Sequence, residues 1–171
     1  MARSALASRG RSQRKTALLV GEGLAEQAFL NHLKAIYVLR GSKHVTVKTA
    51  KGKGGANVLN HTHRQSAQAA YDQVGALLDT DTDWNDAQRA LAAKQDIEVF
   101  EAQPCLEALL LRVAGHRVPH TTKQCKSAFE KKFGMEAHTP GLFERHFPRD
   151  LLEAARQREP ALGRLVEFLL R

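Results

Sequence analysis

Two short apolar runs end abruptly in acids: Ala17-Leu18-Leu19-Val20-Gly21-Glu22-Gly23 and, much later, Ala76-Leu77-Leu78-Asp79-Thr80-Asp81-Thr82-Asp83. Carboxylates are hard oxygen ligands. Several brought to one place repel one another until a divalent cation such as Mg²⁺ or Mn²⁺ joins them, and such an ion keeps sites for water and phosphate. Asp79 and Asp81 stand two apart, so a backbone extended through Thr80 turns both to one side. With Glu22 they make a candidate ligand set for metal-dependent chemistry at phosphate. Asp83 is a further candidate ligand, an acid supporting one, or the cap of a following helix. Glu26 lies one helical turn after Glu22. It faces the same crevice or sits in solvent near a helix N-terminus, where negative charge is favoured.

These acids need elements to carry them. An uninterrupted apolar run bounded by turn residues reads as a parallel strand buried on both faces, with its acids delivered to the C-terminal edge of the sheet. The first strand is expected at Thr16–Val20. The apolar spacing of Leu24, Phe29, Leu30, Leu33, Ile36 and Tyr37 predicts a helix to about Leu39. Val45 and Val47 alternate with polar residues over 44–49 and predict a half-buried or edge strand. Lys51-Gly52-Lys53-Gly54-Gly55 is a basic glycine loop without the Gly-Lys-Ser/Thr ending of a Walker motif. A polar helix follows over about 56–71, then a central strand over 74–78. Next come a helix through Trp84, Ala87 and Leu91, capped by Thr82 or Asp83, and a strand at 97–100. Pro104 suits the first turn of an apolar helix ending at Gly115, and Glu107 falls in that turn. Helices are expected over 121–133 and over 151–170 with a break at Pro160. Strands alternating with helices predict an α/β fold with a mainly parallel sheet covered on both faces and a C-terminal helical extension from about residue 120. If the first and third strands are neighbours, Glu22, Asp79 and Asp81 converge at the crevice beyond their ends.

The 171 residues are 43% hydrophobic and 26% charged, which suits one globular domain over 16–171. A net charge of +8 and a sequence pI of about 9.8 favour a polyanionic partner. Arg11 and Arg14, within an N-terminal arm (1–15) expected to be basic and disordered, are candidate nucleic-acid contacts. So are Lys51, Lys53, Arg64, Lys123 and Lys126. The arm has no apolar core, so it does not read as a secretory signal, and no stretch approaches the ~20 apolar residues that span a bilayer. With only Cys105 and Cys125, two reduced thiols in a cytoplasmic protein are expected. His61 and His63 stand two apart and do not share a helix face, which argues against zinc.

The Glu22-Gly23 element after one strand, the further acid Glu26, the Asp79-x-Asp81 element after another, and Pro104-Cys105-Leu106-Glu107-Ala108-Leu109-Leu110-Leu111 together resemble the RloB-like branch of the Toprim superfamily over about residues 15–135. The chain departs from that pattern at Gly21, where Cys is more usual, at Ala25, where Thr is frequent, and at Leu106 and Ala108, where aromatics are usual. The resemblance implies a Toprim-like, Rossmann-like sheet and Mg²⁺ or Mn²⁺ held by Asp79 and Asp81 beside a nucleic-acid phosphate. Glu22 would be a ligand or a general acid/base, and Glu26 and Glu107 further catalytic acids. It implies hydrolysis of DNA or RNA rather than strand passage, since Tyr37 and Tyr71 both read as packing residues. It also implies a prokaryotic defence setting with a partner protein encoded nearby. A non-catalytic nucleic-acid-binding accessory protein is the alternative, and the sequence allows a homodimer. A receiver-like signalling domain fits less well, for want of a phosphoacceptor Asp with the accompanying Thr/Ser and Lys.

Overall fold

A computed structural model describes residues 14–171; Arg11 and most of the expected basic arm lie outside the described residues. Four strands, β1 (Lys15–Gly21), β2 (Lys43–Thr49), β3 (Gln73–Asp79) and β4 (Glu98–Ala102), form one all-parallel sheet in the order β2-β1-β3-β4. β2 is an edge strand, as its alternation predicts, and β1 and β3 are the central pair. The helices α1 (Leu24–Tyr37), α2 (Gly54–Gln68) and α3 (Asp86–Lys94) connect the strands. After β4 come α4 (Leu106–Val113), α5 (Thr122–Phe133), α6 (Leu142–His146), α7 (Arg149–Ala155) and α8 (Pro160–Leu170). The short α6 has no counterpart in the apolar spacing of the sequence.

Both faces of β1 are buried, which is why its sequence does not alternate. Ala17 and Leu19 join Leu77 and Phe100 against Phe29, Leu30 and Leu33 of α1, Leu109 and Leu110 of α4, and Leu165 and Phe168 of α8. Leu18 and Val20 join Ala76 and Leu78 against Val58 and Leu59 of α2, Trp84, and Ala92 of α3. Helices α5 to α8 complete the first of these two cores, with Phe129, Phe143 and Leu152 in the same cluster. The C-terminal helices therefore share the core of the sheet.

The strand order carries a functional consequence. The chain leaves β1 toward one edge, and leaves β2 and β3 toward the other. Right-handed crossovers then require α1 on one face and α2 and α3 on the opposite face, and the two cores divide in that way. The direction of progression reverses between β1 and β3. Helices leave these two strands on opposite sides of the sheet, which opens a crevice at their C-terminal ends, where open α/β sheets bind ligands. Glu22 and Asp79 sit at those two ends. Among the described residues, no helix is long and apolar enough to cross a membrane.

Candidate active site

The crevice is closed tightly by backbone bonds. Glu22 N–H donates to the Leu77 carbonyl (3.1 Å) and extends the β1–β3 ladder by one residue. Gly52 N–H donates to the Glu22 carbonyl (2.7 Å) and draws the glycine loop over the end of β1. Gly21 is fixed by its neighbour: a Cβ there would lie 2.7 Å from Glu26 Cβ and 2.9 Å from Gln27 N. The absent side chain lets the first turn of α1 settle on the strand end and turns Glu26 inward, to 6% exposure.

Four acids meet here. A cavity of about 340 Å³ is lined by Glu22, Glu26, Asp79 and Glu107, together with Gly52, Lys126 and His138 among others. Asp79, 9% exposed, is the last residue of β3. Its N–H donates to Glu22 Oε2 (3.1 Å), and its Oδ1 accepts from Leu106 N–H (3.0 Å) at the start of α4. Glu26 Oε2 accepts from Gly23 N–H (2.8 Å). Burial, reinforced by the charges of Glu26, Glu22, Glu107 and Asp81, pushes the Asp79 carboxyl up to about 9 from 3.8. Burial also raises Glu26, with Glu107 and Glu22 adding to the effect and hydrogen bonds from backbone N–H groups opposing it. This is the signature of like charges confined in low dielectric.

Lys126 of α5 lines the same cavity, and its ammonium is stabilised: burial opposes the charge, but Glu107, Asp79 and Glu26 outweigh it and raise its pKa. The sequence offers Lys126 as a nucleic-acid contact; the fold places it beside the acids.

Two expected ligands diverge. The shared orientation of Asp79 and Asp81 required extended backbone through Thr80, but β3 ends at Asp79. Thr80 N–H turns to the carbonyls of Ala102 (3.2 Å) and Pro104 (3.1 Å). Asp81 is exposed, accepts from Thr122 Oγ1 at the start of α5 (2.6 Å), and does not line the cavity. Asp83 accepts from Gly55 N–H (2.8 Å) and Ala56 N–H (3.3 Å), so it caps α2 from a distance in sequence, while Asn85 caps α3. The Asp83 carboxylate thus holds the anion position at the N-terminus of α2 that the glycine loop would otherwise offer to phosphate. Asp83→Ala is expected to lower stability by about 1 kcal/mol, a fall in Tm of roughly 2–4 °C, and to leave Mn²⁺ binding unchanged. Thermal melts with and without Mn²⁺ check both.

The chemistry of the remaining donor set fits a hard divalent cation. Glu22 and Asp79 each give one oxygen to a backbone N–H and keep the other free of protein donors among the described residues. Among those residues no three His, Cys, Asp or Glu side chains stand close enough together to enclose an ion, so binding requires the carboxylates to draw inward.

The remaining candidates divide by position. The loop of Lys51 and Lys53 borders the cavity through Gly52, with left-handed φ at Lys51 (61°), Gly52 (82°), Lys53 (73°) and Gly54 (79°). The Asn57 amide clamps this loop at the Ala50 and Gly52 carbonyls. Burial lowers the pKa of His61, and the charges of Arg64, Lys48 and Lys51 lower it further, which marks a basic patch beside the loop. Lys123 is exposed on α5. Arg14 precedes β1 at the opposite edge of the sheet, away from the cavity. Cys105 and Cys125 are fully buried and pack together with Ala108. Burial pushes the Cys105 thiol up to about 12, which fits packing rather than nucleophilic attack. His138, in the turn before Pro140, carries no sequence signal that marks it as part of the site. No protein-family model, curated protein or solved structure matches the chain.

Proposed function

We propose that this chain is a small metal-dependent phosphodiesterase acting on DNA or RNA, built on a Toprim-like domain of the RloB-like kind. The observation that carries the reading is the convergence of Glu22, Glu26, Asp79 and Glu107 with Lys126 in one cavity at the crevice between β1 and β3. A cation among these carboxylates would offset their mutual repulsion. Glu22 and Asp79 would hold Mg²⁺ or Mn²⁺, with Glu26 and Glu107 beside them. The bound ion would supply Lewis acidity toward a phosphoryl oxygen and a more acidic water. Lys126 offers its ammonium to a phosphate oxygen of the substrate. Glu26, kept more basic than an ordinary carboxyl by burial, is suited to accept a proton from the attacking water. Lys51, Lys53, Arg64 and Lys123 serve the flanking phosphates, in keeping with the net charge of +8. A defence module with a neighbouring partner protein is the setting we propose.

A non-catalytic nucleic-acid-binding accessory role is favoured by one observation: Asp81 and Asp83 are engaged elsewhere, leaving fewer acids for an ion. One experiment separates the two readings. Mn²⁺ is expected to raise the Tm of the wild type and to support cleavage of a single- or double-stranded oligonucleotide. Glu22→Gln is expected to lower both responses at least tenfold while melting cooperatively. Oligonucleotide binding without cleavage at any Mn²⁺ or Mg²⁺ concentration selects the accessory role. The absence of any Mn²⁺ effect on Tm removes the metal from the proposal.

A further inference from the structure

The loop between α5 and α6 returns over the C-terminal edge of the sheet and brings one imidazole to the acidic cavity. His138 lines three adjoining cavities: the acidic one, a second of about 260 Å³ with Glu107, Lys126, Glu130 and Glu136, and a third of about 290 Å³ with His32 and Glu144. The first two also share Glu107 and Lys126, so they form one continuous groove with His138 where they meet. His138 Nε2 lies 3.2 Å from Glu136 Oε2. A carboxylate beside one ring nitrogen orients the ring and leaves Nδ1 to act. His32 is committed elsewhere, with its Nε2 2.8 Å from the Phe147 carbonyl and its ring stacked on Phe143.

Cleavage of a phosphodiester leaves an alkoxide that needs a proton. The groups around the groove differ in their fitness to give one. Lys126 is held charged by Glu107, Asp79 and Glu26. A free carboxyl ordinarily titrates well below neutrality. Imidazole is the side chain whose ordinary pKa lies close to it.

We infer that His138, held by Glu136, is the proton donor to the leaving oxygen, an inference that rests on the phosphodiesterase reading. As water oxygen bonds to phosphorus, the P–O bond to the leaving oxygen breaks and the proton on His138 Nδ1 moves to that oxygen. The proton released by the water passes to Glu26 or to solvent, and solvent reprotonates the imidazole.

The test compares two leaving groups in the full chain with Mg²⁺. On an oligonucleotide, His138→Gln is expected to lower kcat about a hundredfold and to remove the alkaline limb of the pH profile. On thymidine 5′-(p-nitrophenyl phosphate), whose p-nitrophenolate departs without a proton, it is expected to change kcat less than about threefold. Equal losses on both substrates, or no loss on either, overturn the role of His138 and leave the phosphodiesterase standing. A wild type that cleaves neither substrate overturns the phosphodiesterase and the inference with it. A second readout is independent of turnover. In NMR spectra the ring signals of His138 are expected to shift on addition of thymidine 5′-monophosphate with Mg²⁺ and to shift again with Glu136→Gln. A ring indifferent to both overturns the assignment.

Discussion

Asp79→Asn is expected to make the metal-free protein more stable at alkaline pH while abolishing cleavage and the response to divalent cations. The wild-type carboxyl titrates near 9 in the folded chain against an ordinary value of 3.8, so the folded state holds this proton more tightly than the unfolded state. The resulting stabilisation is complete below about pH 4 and is lost as pH rises through about 9. At pH 8 the wild type therefore carries most of the penalty. Asparagine has nearly the same shape, keeps an oxygen for Leu106 N–H, and carries no charge for Glu22, Glu26 and Glu107 to repel. The gain should reach about 2 kcal/mol or more at pH 8, which is roughly 5 °C in Tm for a chain of this size. It should shrink toward pH 5. In the presence of Mn²⁺ the order should reverse, because the ion stabilises the wild type and finds one ligand fewer in the variant. Melts from pH 5 to 9, with and without Mn²⁺, read all of this. A variant less stable than the wild type at pH 8, with an unchanged pH slope, would show that Asp79 acts only as the cap of α4.

What was legible in the sequence follows from period and burial. The unbroken apolar runs of β1 and β3 announced strands covered on both faces, and their abrupt acidic ends placed Glu22 and Asp79 at one edge of the sheet. The alternation in β2 marked it as an edge strand. Asp81 was misplaced because the strand period was carried too far: the Thr80 N–H makes the last ladder bond to the Ala102 carbonyl and shares it with the Pro104 carbonyl, and β3 ends at Asp79. Asp83 was read against α3, its neighbour in sequence, whereas the orphaned N–H groups it meets belong to α2, 27 and 28 residues earlier. The inward turn of Glu26 depends on the missing Cβ of Gly21, a residue that the sequence marked only as a departure from the pattern it resembles. Lys126 and His138 arrive by the return of α5 and its following loop over the strand ends. No local periodicity encodes that return, so the cation and the imidazole of the site emerged only with the tertiary structure.

Lys126 is where the second large effect is expected. Four carboxylates line its cavity, and although partial desolvation opposes the charge, Glu107, Asp79 and Glu26 raise the Lys126 pKa. A positive charge in that position does two opposed things. It relieves repulsion among the acids, and it competes with any cation that enters. Lys126→Met preserves the aliphatic stem and removes the charge. Mn²⁺ should then bind more tightly, by about tenfold if the lost repulsion is worth on the order of 1.4 kcal/mol. The metal-free protein should lose stability at pH 8, as Glu107, Asp79 and Glu26 lose their counter-charge. Cleavage should nevertheless fall about a hundredfold or more, because the ammonium is the donor available to charge developing on the phosphoryl oxygens. Tighter metal binding with slower cleavage is a combination that simple loss of structure does not produce, and titration calorimetry with Mn²⁺ beside single-turnover cleavage resolves the two. Weaker Mn²⁺ binding in Lys126→Met would mean that the ammonium supports the carboxylates from outside the ion's field, and the substrate-facing role of Lys126 would fall.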